Sequence, residues 1–380
     1  FGVTENFPRE IIPEECGLIV ADGFGGAILR DSPVRQLAGA LQAARHVVED
    51  LEQRLGGSLY EVLFKPIAEK LWGDPKKLDV KLSKGRVQTP SLAEVLGRIL
   101  KIKKTSEFEA LTFRYPKGGL GRIWHAIEKK SQGSGKFLMG HTITGLVVEG
   151  KTIRQIKYNA EGVDGIIDIK DGDSVVSTLP LSLTVKLMGK ALPDNFLELS
   201  EKVVALNDLL LVFFHIDKPS LLDESWVFIP DPNIVFHRLS EQESFDTEMT
   251  KNGSIVCCEI MSSITRPLAG KTDEELCAMA LEGIASMGYS GFKLINKRVI
   301  RLPKSYPVFY TGFESVLEQL ISGIDTFDNF RSVGRQGAFN YIGTLDCMDI
   351  GYGYAKWLAN GKSKSWEEER NRTNHYPVLD

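Results

Sequence analysis

Residues 329–358 constrain the fold of this 380-residue chain more than any other segment. Asn329 to Val333 reads as a short strand and Gly334-Arg335-Gln336-Gly337-Ala338-Phe339-Asn340-Tyr341 as a glycine-punctuated turn. Residues 346–358 follow as a helix opening on Asp346-Cys347-Met348. Glycine has no Cβ, so such a turn lets the backbone come close to a ligand. A helix start adds unpaired N–H groups and a partial positive charge. The combination describes a site for an electron-rich group, with Gly334, Arg335, Asp346, Cys347 and Met348 as candidate binding residues. The alternative is a helix capped by Asp346, with the glycines serving only the turn.

Around this segment the pattern is mixed. Residues 33–55 and 59–71 read as helices, the first with apolar Val34, Leu37, Leu41 and Ala44 behind the Ser32-Pro33 start. Residues 91–102 read as a third, opened by the capping-box pattern Ser91-Leu92-Ala93-Glu94. Residues 136–158 alternate as two strands around Glu149-Gly150-Lys151. Strands are expected at 209–216, 226–229, 234–239, 254–261 and 293–301, with a helix at 273–287 and another at 313–324. The end, 367–380, reads as an extended polar tail.

Several of these segments, in order, resemble a flavoprotein superfamily that contains protoporphyrinogen oxidase, flavin amine oxidases and UDP-galactopyranose mutase. The Gly334-Arg335 turn and its helix are similar to the superfamily's closing segment. Tyr115-Pro116-Lys117-Gly118-Gly119 resembles its Tyr-Pro-x-Gly-Gly helix opening, and Asp173 to Pro180 the strand that returns to the flavin domain. Leu59-Tyr60-Glu61 to Pro66 with Glu69-Lys70-Leu71-Trp72-Gly73, and Ser305-Tyr306-Pro307-Val308, resemble further signatures. The resemblance implies FAD as cofactor, with helix amides near the flavin ring, Ile143 beside adenine and Thr178 on the returning strand. It implies Tyr306, Tyr310 and Tyr341 as substrate-binding tyrosines. Arg335 reads equally as a bidentate anion ligand or as a surface ion pair. One departure is that the superfamily's usual aspartate falls on Leu345, with Asp346 one place later.

The superfamily normally opens with a strand, G-x-G-x-x-G and a helix. The nearest approach here, Gly17 to Ala27, has Ile28 at the sixth position and no acidic ribose partner after it. It is read as a glycine-rich loop without nucleotide. The expectation is therefore a chain without the first ADP-binding unit, which binds FAD weakly or not at all on its own.

A net charge of −4 argues against a nucleic-acid footprint. No apolar run approaches the ~20 residues of a membrane span, and a cytoplasmic location is the default. The cysteines Cys16, Cys257, Cys258, Cys277 and Cys347 have no C-x-x-C spacing and suggest neither disulfides nor zinc. His215 and His237 read as structural. No catalytic side chain is assigned, because the chemistry would come from the flavin itself.

The fold class expected is mixed α/β (α+β). A discontinuous Rossmann-like FAD domain lacking its first βαβ unit would stand beside a substrate domain with a mostly antiparallel sheet and helices. The division is 1–114 helical and mainly substrate-side, 115–180 FAD-binding, 181–302 substrate sheet and helix, and 303–380 FAD-binding again with the tail. The functional expectation is a FAD-dependent oxidoreductase acting on a small molecule. A mutase-like isomerase of a nucleotide sugar and a flavin-free binding remnant are the alternatives. Substrate, pathway and oligomeric state stay open.

Overall fold

The computed structural model describes residues 18–25, 47–86, 110–133, 135–362 and 365–373. The expected helix at 91–102 and the first part of the one at 33–55 lie outside the described residues. Strand β1 (Leu18–Gly25) pairs antiparallel with β2 (Ala110–Pro116), so the region 1–114 is not helical throughout. This pairing also replaces the loop expected around Gly23 to Gly25 with strand. Helix α1 (Val47–Leu55) is followed by a helical run from Gly57 whose middle, Tyr60–Phe64, winds as a π-helix before α2 (Lys65–Leu71). Helix α3 (Gly121–Ser131) follows β2.

Strands β3 (His141–Glu149), β4 (Thr152–Ala160) and β5 (Val163–Asp168) form an antiparallel meander. Its first turn runs through Gly150 at φ +59°, where only glycine is unstrained. Strand β6 (Val175–Ser177) then leads into α4 (Leu181–Met188) and α5 (Phe196–Val203).

The next strands are β7 (Ala205–Ile216), β8 (Trp226–Phe228), β9 (Arg238–Glu241), β10 (Ser254–Ser262) and β11 (Leu294–Val308). They build a five-stranded antiparallel sheet in the order β11-β7-β10-β9-β8. Alternation assigns its two faces. Leu210, Val212, Phe214, Leu239, Val256, Cys258 and Ile260 are buried against Leu276, Ala280 and Ile284 of α6 (Asp273–Ser286). That helix is started by a reciprocal capping box, with Glu275 N–H on Thr272 Oγ1 and Thr272 N–H on Glu275 Oε2.

The strand expected at 234–239 is displaced to Arg238–Glu241. Ile234, Val235 and Phe236 are buried, but they follow a turn closed by Ile234 N–H on Asp231 O, and the Phe236 carbonyl accepts from Lys70 Nζ instead of a strand.

Helices α7 (Phe313–Asp325), α8 (Gly334–Gly337), α9 (Thr344–Ala359) and α10 (Trp366–Thr373) complete the chain, with β12 (Phe330–Ser332) between α7 and α8. Strand β12 pairs in parallel with β6, Phe330 opposite Val175, which is the contact expected between these distant segments. Helix α10 corrects the extended tail expected from residue 367. Ser365 Oγ accepts from Glu368 N–H at its start, and Trp366 is buried against Trp357 and Tyr354.

Two cores result. One joins α1, α2, α4, α5 and α7 to Phe309, Phe330, Phe339 and Tyr341, and the other lies between the large sheet and α6. Lys70 ties α2 to the sheet through the carbonyls of Ile229 and Phe236, at 2.7 and 3.0 Å.

Candidate functional site

The parallel strands β6 and β12 end side by side, and ligands in open parallel sheets bind at carboxyl ends of strands. Ser177-Thr178 closes β6, and a Cβ on Gly337 would lie 2.9 Å from the Ser177 carbonyl, so α8 can sit there only with glycine. Gly334 starts α8 at φ +83°. The expected turn is thus a single helical turn seated on the end of β6. Thr178 is exposed beside it.

Arg335 projects from α8 toward the large sheet. Its guanidinium carbon lies 4.9 Å from the ring centre of Tyr306, on β11, and 4.5 Å from that of Tyr341. One nitrogen donates to the Ile342 carbonyl at 2.7 Å. Among the described residues no carboxylate comes within ion-pair distance of it, so the surface ion pair that was its alternative reading is absent. Tyr341 is buried and stacks on the arginine from behind, whereas Tyr306 is half-buried. Tyr310 is held elsewhere, bridged to Leu78, and burial raises its phenol pKa. Ile143 lies in β3 opposite Tyr158, in the separate meander.

Helix α9 begins two residues before the expected position. Asp346 caps it by accepting from Gly343 N–H at 2.8 Å, and Cys347 N–H already donates to Gly343 O. The amides of Cys347 and Met348 are therefore not the free donors the sequence suggested. Helix geometry leaves those of Thr344 and Leu345 free, on exposed residues. Burial raises the Asp346 carboxyl pKa, an effect opposed by the Gly343 N–H and reinforced by Asp349. Burial likewise raises the Cys347 thiol, against the Arg335 N–H and guanidinium. A water-sized cavity of about 60 Å³ lies behind the turn, lined by Ser332, Gly334, Asn340 and Arg370.

The sheet face turned away from α6 supplies residues that the sequence reading missed. Phe228, Arg238, Glu259 and Leu211 stand in one cross-strand row, and Trp226, Ser240, Cys257 and Phe213 in the next. Arg238 makes a bidentate pair with Glu259 at 2.7 and 2.8 Å and lies over Phe228. Burial works against the Arg238 charge, but the Glu259 carboxylate outweighs it and raises the pKa. The sequence shows one charge in each expected strand, Arg238 in 234–239 and Glu259 in 254–261, but not that they face each other. The segment 115–119 also meets this end of the sheet. Tyr115 packs on Phe245, which stacks on Trp226, and Gly118 N–H and Lys117 meet Asp246 and Glu248.

No group of three or more His, Cys, Asp or Glu is placed to hold a metal among the described residues. No helix among them is long and apolar enough to cross a membrane.

A family model described as MmcB-like, DNA repair protein MmcB-like, matches residues 1–53, most of which lie outside the described residues. No curated protein matches in sequence. Solved structures do match in fold. A crystal structure of reduced UDP-galactopyranose mutase is similar at a TM-score of 0.77 and 17% identity, over 97% of this chain and 81% of that one. A protein provisionally named protoporphyrinogen oxidase from Exiguobacterium sp. 255-15 is similar at 0.56 and 14% identity, over 80% and 66%. An oxidoreductase from Methanosarcina mazei is similar at 0.53 and 14% identity, over 85% and 78%. The chain thus has a mixed α/β fold similar to that of the UDP-galactopyranose mutase structure.

Proposed function

We propose that the chain is the substrate-binding body of a flavin-dependent enzyme that takes a small anionic molecule into the space between the large sheet and the α8 turn. The observation that carries this reading is Arg335. Among the described residues it is a cation without a carboxylate partner, held between two tyrosine rings beside the exposed start of α9.

The residues fit the ring side of a flavin. The space where Gly334 would carry a Cβ is open, and Thr344 and Leu345 present free amides. A pyrophosphate cradle is not among the described residues, because Gly23 and Gly25 stand in an antiparallel strand. When bound, the flavin supplies the electron chemistry of such sites. The chain's own residues orient and neutralise the substrate: Arg335 by charge and two remaining nitrogens, Tyr306 by its ring and hydroxyl, and Arg238 as a guanidinium fixed by Glu259. In this reading residues 115–180 and 303–380 form the cofactor side and 181–302 the substrate side, with Thr178 and Gly334 at the ring and Ile143 toward adenine. The enzyme would work in the cytoplasm on a small molecule, without nucleic acid.

Two chemistries share this site. One is oxidation of the substrate by the flavin, and the other is isomerisation of a nucleotide sugar on reduced flavin. The Arg335 cation favours the second, since a nucleotide sugar carries an anionic diphosphate with which a guanidinium can pair. The test is to titrate the protein with FAD and assay it anaerobically with UDP-galactopyranose before and after dithionite. Isomer formed only after reduction supports the mutase reading. Oxygen consumption with an amine or porphyrinogen donor supports the oxidase reading, and the absence of both turnovers at saturating FAD counts against both readings.

A further inference from the structure

We infer that Gln336 is a positioning residue, which sets the separation of the two walls of the cleft by gripping an irregular turn of β11. The inference rests on the Arg335 and Tyr306 site described above, and it concerns how that site is held together. Strand β11 keeps a regular register with β7 from Asn296 to Leu302, breaks it, and resumes at Tyr306 opposite Asn207. Bulges of this kind re-aim the side chain that follows them, and that side chain here is Tyr306.

At the centre of the break Lys304 adopts φ +52°, a conformation that L residues with a long side chain adopt at some cost. Three hydrogen bonds hold it. Lys304 N–H donates to Asp208 Oδ1 at 2.8 Å, and Ser305 Oγ–H donates to the Leu302 carbonyl at 2.8 Å. The third links α8 to β11, where Gln336 Nε2 donates to the Lys304 carbonyl at 2.9 Å. Gln336 directly follows Arg335, so the residue that stacks on Tyr306 and the residue that grips the turn before Tyr306 share one helical turn. Asn207, opposite Tyr306, is tied in turn to the Leu71 carbonyl at 2.8 Å. The positions of the guanidinium and the phenol are therefore set together by a bracket from α8 to β11 to β7.

The test uses the full chain with 3-fluorotyrosine placed at position 306 and its fluorine resonance as readout, in the absence of flavin. Arg335→Met calibrates the resonance by removing the stacked cation. Gln336→Leu keeps bulk but loses the donor, and is expected to shift the resonance in the same direction as Arg335→Met and to broaden it. Asp208→Ala, which frees the other end of the turn, is expected to do the same. Lys304→Gly keeps the carbonyl in place and relieves the backbone, and is expected to leave the resonance where it was. An unchanged resonance in Gln336→Leu overturns the inference, as does one unmoved by Arg335→Met. Parallel melts show whether each variant is folded. A second titration with FAD separates the two readings: loss of flavin binding in every variant and in the parent counts against the proposed function alone, since the fluorine signal needs no flavin.

Discussion

Strands β10 and β12 lie under opposite conditions. The nine residues of β10 are buried at all but one position and paired on both edges, with β7 and with β9. Strand β12 has three residues, a parallel partner on one edge only, and a left-handed glycine directly behind its last residues. The first can bear load because each side chain has packing on its own face and the backbone is satisfied on both sides. The second can present a site because it is short and runs into a glycine turn, held by Ser332 Oγ–H on the Gly337 carbonyl. The chain thus separates scaffold from site by strand length and pairing.

The largest effect that would break this comparison is expected at the sheet core. Phe214→Ala removes a fully buried ring between β7 and α6 and should destabilise the protein by about 3–5 kcal/mol. Arg335→Met, at the open turn, should change stability by less than about 1 kcal/mol while weakening anion binding. Urea unfolding followed by far-UV dichroism measures both. Equal losses would show that the turn is as much scaffold as the sheet.

Lys70 is the seam between the two regions. Burial lowers its amine pKa to about 8, helped by Arg266 and opposed by Asp231, and the amine donates to two carbonyls. Lys70→Met leaves both carbonyls without that donor and should cost about 2–3 kcal/mol at pH 7. The sign of the pH dependence follows from the lowered value. Between pH 8 and the unfolded value near 10.4, the unfolded chain holds more protons, so stability rises with pH, by at most about 1.4 kcal/mol per unit. Melts from pH 7 to 10 should show that rise in the parent and lose it in the variant.

Asp325 tests the packing of α7 against α10 in the opposite sense. Burial raises its carboxyl pKa to about 6, although Arg370 and Arg331 oppose the shift. The folded state then binds its proton more tightly than the unfolded chain, whose carboxyl titrates near 3.9, so stability falls as pH rises from about 4 to 6. Asp325→Asn should flatten that fall, by roughly 2 kcal/mol across the window. An identical pH profile in the two proteins would place Asp325 in contact with water instead of within the α7 and α10 packing.

The two regions also differ in how far they were legible. The long strands could be read because short apolar runs such as 209–216 and 254–261 fit buried strands. Strand β9 was misplaced because Ile234, Val235 and Phe236 are apolar for a different reason, as core residues whose backbone turns toward Lys70. The Gly334 turn was legible through its glycines. The Arg238–Glu259 pair was not, since a charge in an apolar strand reads as an interruption until the register shows its partner across the sheet. The helix start was missed by two residues because Asp346 looks like a cap at the first position, whereas it caps from the third by reaching back to Gly343.

That two-residue correction gives the smallest expected effect. Proline at a first helical position removes an N–H that no carbonyl of the helix accepts, so Thr344→Pro should change stability by no more than about 0.5 kcal/mol. Met348→Pro lies one turn in, where proline also clashes with the preceding turn, and should cost about 3 kcal/mol. If the free amides at Thr344 and Leu345 face the flavin ring, Thr344→Pro should also lower the affinity for reduced FAD. A helix start beside a negative charge contributes about 0.3–1 kcal/mol, so one lost donor should weaken binding by no more than roughly five-fold. Differential scanning calorimetry and an anaerobic flavin titration on the two variants give both numbers. A Met348→Pro protein as stable as its parent would move the helix start back to Asp346, and the free amides with it to Cys347 and Met348.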